Sequence, residues 1–156
     1  EYNIYTVADD FQGTLASKSG YHGSRDKIEI YEAKNKNPEY VVSYTEEGEK
    51  SASVYDSEKL KEKDKYTVFM GGNHARVDIS TTVKDGGHLL LFKDSYANCF
   101  VPFLITDYAI IIMIDPRYYT EDISETIQSN GVTDILFLYN DNTAAEDHSL
   151  YQLTAQ

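Results

Sequence analysis

The sequence predicts an α/β domain with a mostly parallel sheet and a β-hairpin region at its amino terminus. Three observations carry that expectation. Residues 66–70, 89–92, 109–114 and 135–139 are short, unbroken apolar runs, the pattern of strands buried on both faces. Segments long enough for crossover helices separate the last three runs, giving strand, helix, strand, helix, strand. Residues 1–60 are instead polar, with short alternating stretches, as in strands with one wet face.

The elements follow in order. Residues 27–31 place Ile28 and Ile30 on one face, and residues 40–45 alternate Tyr40, Val42 and Tyr44 against Val41 and Ser43. Asn35-Lys36-Asn37-Pro38 supplies turn chemistry between them, so the two are expected to pair as a hairpin. Residues 57–63 predict a short helix capped by Asp56 or Ser57. Residues 76–82 read as a strand, and Lys84-Asp85-Gly86-Gly87 would turn it back to pair antiparallel with the run at 89. A helix over 99–106 tolerates Pro102 in its first turn, where amides need no intrahelical partner. A second helix over 120–129 has Glu121 and Asp122 in its first turn and Asn130-Gly131 as its stop. Right-handed crossovers are expected to put both helices on one face of their local strands. The chain is read as one domain over 1–156, with a β-rich polar part over 1–60 and an α/β core over 64–142.

Composition narrows the function. The 156 residues carry a net charge of −12, with a pI near 4.6. So acidic a surface excludes nucleic acid, whose phosphates need a basic one. It also disfavours an anionic membrane. No apolar run approaches the ~20 residues that cross a bilayer, so membrane contact would come through a segment outside this chain. A neutral glycan fits. Cys99 is the single cysteine, which rules out an intrachain disulfide and a cysteine-based zinc cluster. No metal or cofactor is expected, since neither metal-ligand spacing nor a phosphate loop is present. Fourteen tyrosines stand against no tryptophan; they suit strands or a tyrosine-lined sugar site.

Ligands of open α/β sheets bind beyond the carboxyl ends of the strands. Four polar groups follow the apolar runs: Gly71-Gly72-Asn73-His74, Lys93-Asp94-Ser95-Tyr96, Asp115-Pro116-Arg117-Tyr118 and Asn140-Asp141-Asn142. Parallel strands would bring all four to one edge. Gly72, Asp94, Tyr96, Asp115, Arg117 and Asn140 are therefore candidates for lining a cleft. Ser95 can be aimed outward from a strand-to-helix turn as a nucleophile, although Asp94 and Ser95 also suit a helix cap. Gly71-Gly72-Asn73 can form part of an oxyanion hole or a tight turn. A serine nucleophile needs a base. The histidines are His22, His74, His88 and His148; His148, paired with Asp147, and His74 are the alternatives within the chain.

Residues 89–98, Leu-Leu-Leu-Phe-Lys-Asp-Ser-Tyr-Ala-Asn, continue through Phe100-Val101-Pro102-Phe103-Leu104 to Ile114-Asp115-Pro116-Arg117-Tyr118-Tyr119. With Phe11-Gln12-Gly13-Thr14-Leu15, Gly71-Gly72-Asn73 and Asp134-Ile135-Leu136-Phe137-Leu138-Tyr139-Asn140, they resemble the DHHW protein family. That family is similar to the SGNH-like (GDSL-type) domains of bacterial polysaccharide O-acetylation proteins. The resemblance implies a three-layer, flavodoxin-like fold, Ser95 in the nucleophile position and Asn73 as the oxyanion amide. It also implies an extracellular or cell-envelope setting and an acylated polysaccharide or cell-wall glycan as partner. The family's Asp-His-His-Trp motif is absent, and Lys93 replaces the glycine of Gly-Asp-Ser. These residues are accordingly expected to be the carboxyl-terminal half of a longer protein, inactive without its Asp-His pair. The other expectation is a surface glycan-binding or scaffold module without catalysis.

Overall fold

The computed structural model of the protein describes residues 1–20, 23–35 and 37–154. They divide into two compact units. Glu1–Asn37 with Val54–Gly72 form the first, and Pro38–Ser53 with the chain from Asn73 onward form the second.

In the first unit, strands β1 (Tyr2–Phe11) and β2 (Asp26–Ala33) make a two-stranded antiparallel sheet, with Tyr2 opposite Ala33, and helix α1 (Thr14–Ser19) lies between them in the chain. Most of β1 is exposed, so burial leaves little mark on its sequence. Two 3-10 turns follow, Ser57–Lys61 and Lys65–Val68, capped by Asp56 and Asp64. The Tyr55 hydroxyl donates to the Tyr31 carbonyl at 2.9 Å and accepts from its N–H at 3.2 Å. Val54, Val68, Phe69 and Met70 are buried. The run at 66–70 is thus apolar because it is buried, not because it is a strand. Met70, Gly71 and Gly72 all have positive φ, at 64°, 73° and 129°, which ends any extended path. The reading of Gly71-Gly72 as a tight turn matches this backbone.

The second unit holds β3 (Tyr40–Tyr44), β4 (Glu49–Ser51), β5 (Arg76–Thr81), β6 (Gly87–Lys93), α2 (Val101–Leu104), β7 (Tyr108–Ile114), α3 (Ile123–Asn130), β8 (Asp134–Leu138), α4 (Asp141–Glu146) and α5 (Ser149–Thr154). The six strands run in the order β4-β3-β5-β7-β6-β8. Strands β7, β6 and β8 are mutually parallel, while β4, β3 and β5 continue the sheet by antiparallel pairing. The sheet is therefore mixed rather than mostly parallel. The two strands expected to form a hairpin lie in different sheets, β2 with β1 and β3 with β5 and β4. Nor does β5 pair with β6, because β7 lies between them.

Strand order also decides where the connections leave. The step from β6 to β7 goes one way along the sheet, and the step from β7 to β8 returns across β6. Right-handed crossovers in opposite directions leave by opposite faces, so the two helices do not share one face. Helix α3 is capped by Asp122, which accepts from Ser124 N–H at 2.7 Å, and stopped by Gly131 at φ 59°. Its Ile123 and Ile127 pack with Leu90, Phe92, Ile112 and Ile114. The opposite alternation, Leu89, Leu91, Ile111 and Met113, is equally buried. The centre of the sheet is covered on both sides.

Candidate functional site

Strands β6 and β7 send their chains to opposite faces, so their adjacent carboxyl ends mark the switch in strand order where ligands of such sheets usually bind. Lys93, Asp94 and Asp115 stand there, at 1%, 0% and 0% exposure. Three charged side chains so deep require partners, and the structure supplies them.

Asp94 caps the 3-10 turn Ser95–Cys99 by accepting the Tyr96 N–H at 2.9 Å. Its other oxygen accepts the Asn140 backbone N–H at 3.1 Å and the Asn140 side-chain amide. Asn140 in turn caps α4 by accepting the Thr143 N–H at 3.0 Å. One buried carboxylate thus binds the turn after β6 to the turn after β8. Asp115, at the end of β7, receives Arg117 in a forked pair, Nε at 2.8 Å and Nη2 at 2.6 Å. This contact pushes the Arg117 pKa further upward. The Arg117 guanidinium also lies 5.3 Å from the centre of the Tyr118 ring. The structural ion pair is therefore the role observed for Arg117. Lys93 Nζ is 3.9 Å from Asp115. Burial lowers its pKa to about 8, against the pull of Asp115. The Tyr139 hydroxyl is raised, first by burial and then by Asp115.

Ser95 is half-buried and is the first residue of its turn, while Tyr96 is exposed. Asn73 reaches the same edge by an unexpected route. It follows no parallel strand; it precedes β5, which runs antiparallel to β7, with Arg76 opposite Ile114. The amino end of β5 therefore meets the carboxyl end of β7. Buried Asn98, from the turn that Ser95 begins, donates its amide to the Asn73 oxygen at 3.4 Å. That contact leaves the Asn73 amide nitrogen as a donor. Gly72 closes the first unit, one residue before.

The histidines are distributed elsewhere. His88 sits at the opposite end of β6, with Nδ1 2.6 Å from the Asn130 carbonyl. His148 is exposed, and its neighbour Asp147 accepts the Ser149 N–H at 2.7 Å rather than orienting the imidazole. The Ser149 hydroxyl donates to the same oxygen, and this bond first, then the N–H, lowers the Asp147 pKa. His74 stands before β5, with Nδ1 2.9 Å from Glu47 and its ring 4.6 Å from that of Tyr44. His22 lies outside the described residues. Glu46, Glu47 and His74 bring ligand atoms within 4.8 Å of one another. The structure already employs Glu46 on the Ala75 N–H and Glu47 on His74.

The sequence places Lys93 in the polar group after β6 without a role for it, and does not single out Asn98 as a member of this group. The signals were a cation ending a wholly apolar run, at Lys93, and an amide one turn after Ser95, at Asn98.

Residues 6–114 match the DHHW protein family, well over half of the chain. This chain belongs to the DHHW protein family. Among solved structures it is similar to a DHHW family protein of Eubacterium siraeum, at 28% identity and a TM-score of 0.77, over 95% of this chain and 50% of that one. It is also similar to Bacillus cereus PatB1 bearing a sulfonyl adduct, at 21% identity and a TM-score of 0.73, over 95% and 49%. A second PatB1 structure aligns at 21% identity and a TM-score of 0.71, over 95% and 52%. The chain thus spans about half the length of these structures. No curated protein matches it.

Proposed function

We propose that this chain is the nucleophile-bearing, carboxyl-terminal half of a three-layer SGNH-like fold, acting in an O-acyl esterase or acyltransferase of the bacterial cell envelope whose substrate is a glycan. The observation that carries the reading is the position of Ser95. It starts a turn capped by a buried aspartate, at the carboxyl end of β6 beside that of β7.

In this scheme Ser95 Oγ attacks an acyl carbonyl carbon. An Asp-His pair from outside these residues takes its proton. The Asn73 amide and the Ser95 N–H hold the oxyanion, each good donor contributing roughly 3 to 4 kcal/mol. Collapse expels the sugar hydroxyl, which regains the proton, and leaves an acyl-serine. Water completes an esterase cycle, and a second sugar hydroxyl completes a transferase cycle. Exposed Tyr96 and Tyr118 flank this edge and suit sugar rings, which stack on aromatic faces.

The test uses a sulfonyl fluoride, since PatB1 forms a sulfonyl adduct. Intact-mass analysis of the longer polypeptide should show one adduct, at Ser95, lost in Ser95→Ala. The 156-residue chain alone should remain unlabelled. Rapid labelling of the short chain would turn attention to His74 or His148 as its base. No labelling of either form would favour the binding module.

A further inference from the structure

Two cations stand at the strand ends, and the reaction as proposed uses neither. Lys93 is the deeper, its side chain 2% exposed against 29% for Arg117. Its Nζ makes no hydrogen bond among the described residues, and Asp115 is 3.9 Å away, beyond hydrogen-bond reach. The two carboxylates beside it already have their donors. Arg117 fills both oxygens of Asp115, and Asp94 accepts from Tyr96 and Asn140. Packing alone gives no reason for such a group, since a methionine would fill similar space without a buried charge. Its direction is informative. Leu90 and Phe92 face α3, so Lys93 points to the other side of the sheet with Leu89 and Leu91. The chain leaving β6 for β7 takes that side, and Ser95 begins its first turn. The lysine lies beneath the turn that presents the nucleophile.

We propose that the Lys93 ammonium stabilises the oxyanion formed when Ser95 attacks an acyl carbonyl, by cancelling the excess negative charge of the site beneath it. The inference rests on the reading of Ser95 as a nucleophile. A charge count carries it. Asp94 and Asp115 are both fully buried, and against these two carboxylates Arg117 supplies a single positive charge. Without Lys93 the strand ends would hold one uncompensated negative charge, in a chain whose net charge is already −12. An oxyanion would add a second where little water screens it. Lys93 brings the group to neutrality before the reaction starts, with no reorganisation during it. The Ser95 N–H and the Asn73 amide still supply the hydrogen bonds; Lys93 acts through its field.

Only the protonated lysine can do this. Burial lowers its pKa to about 8, so the rate should fall above that pH. Asp94, Asp115 and Arg117 are the charges that act on it. Of the groups bordering these, Tyr139 is raised and stays neutral, while Asp147 is lowered and stays charged. Tyr96 and Cys99 also lie in the turn, and substitution of Lys93 leaves both in place. The test is hydrolysis of 4-nitrophenyl acetate by the longer polypeptide between about pH 6 and pH 10. Wild-type kcat/KM should fall about tenfold per pH unit above the lysine pKa. Lys93→Met should lower kcat about 10- to 100-fold at neutral pH, leave KM within about twofold, and abolish the falling limb. Lys93→Arg should restore the rate and hold it across the whole range, because a guanidinium keeps its proton. Titration of Lys93 adds stability as pH rises, so unfolding through this group cannot produce the limb. A wild-type rate that stays level to pH 10, or a limb that survives Lys93→Met, would overturn the inference. Sulfonyl labelling separates it from the reading beneath it. No adduct at Ser95 ends both, whereas a Ser95 adduct with a level pH profile ends the role of Lys93 alone.

Discussion

Lys93 is the residue whose chemistry is most altered by its place in the fold. Its ordinary pKa of 10.5 falls to about 8 because burial penalises the ammonium. Below pH 8 the folded and unfolded chains both hold the proton, and the full burial penalty stands. Between pH 8 and 10.5 the folded chain releases its proton while the unfolded chain retains it, so stability rises with pH. Comparison with Lys93→Met cancels the other titrating groups. Wild type should gain on the variant by up to about 3 kcal/mol between pH 7.5 and 10.5. Urea midpoints at four pH values would read this directly, and a constant gap would refute it. Asp94→Ala is a separate case. It strands the Asn140 and Tyr96 N–H groups together, at about 2 to 4 kcal/mol, measurable by the same denaturation. Ser95, Asp94, Asp115 and Asn140 were legible as strand-end polar residues. Their assignment to particular partners was not, because hydrogen bonds such as Asp94 to Asn140 span 46 positions and no local pattern encodes them.

Elements were legible where burial and periodicity agree. The runs at 89, 109 and 135 are β6, β7 and β8, and α3 has the start and stop signals its sequence carries. The run at 66 misled because an apolar pentapeptide fits a buried 3-10 turn as well as a strand. Strand β5 was legible, but its partner was not, since pairing depends on β7 some thirty positions later. Two substitutions test the element boundaries. Asp122→Ala removes the cap of α3 and should cost about 1 kcal/mol, seen as a lower thermal midpoint. Gly86→Ala should cost more, about 1 to 3 kcal/mol, because a Cβ there would lie 2.6 Å from the Ala109 backbone nitrogen. A Gly86→Ala protein as stable as wild type would mean that the start of β7 can move aside.

At the scale of the whole molecule, twelve net negative charges repel one another in the compact state. Raising sodium chloride from about 10 mM to about 300 mM screens that repulsion and should raise Tm. A Tm that falls with salt would mean that the ion pairs outweigh the repulsion. The acidic balance was fully legible in composition. The division into two interleaved units was not, because each unit draws on two separated stretches of chain, and a change in polarity near residue 60 gives no hint of such exchange.

One topological detail bears on how the polypeptide reaches this state. Strand β7 lies between β5 and β6 yet follows both in the chain, and the turn joining those two passes hard against its first residues. Synthesis from the amino terminus therefore presents β5 and β6 as neighbours in sequence that must stay apart, holding open a slot for a later arrival. Until residue 114 has left the ribosome, two apolar strand edges remain unfilled, and premature pairing of one with the other would shut out β7. A β5–β6 pairing made first would have to open again before β7 could take its place, and unpaired strand edges of this kind favour aggregation.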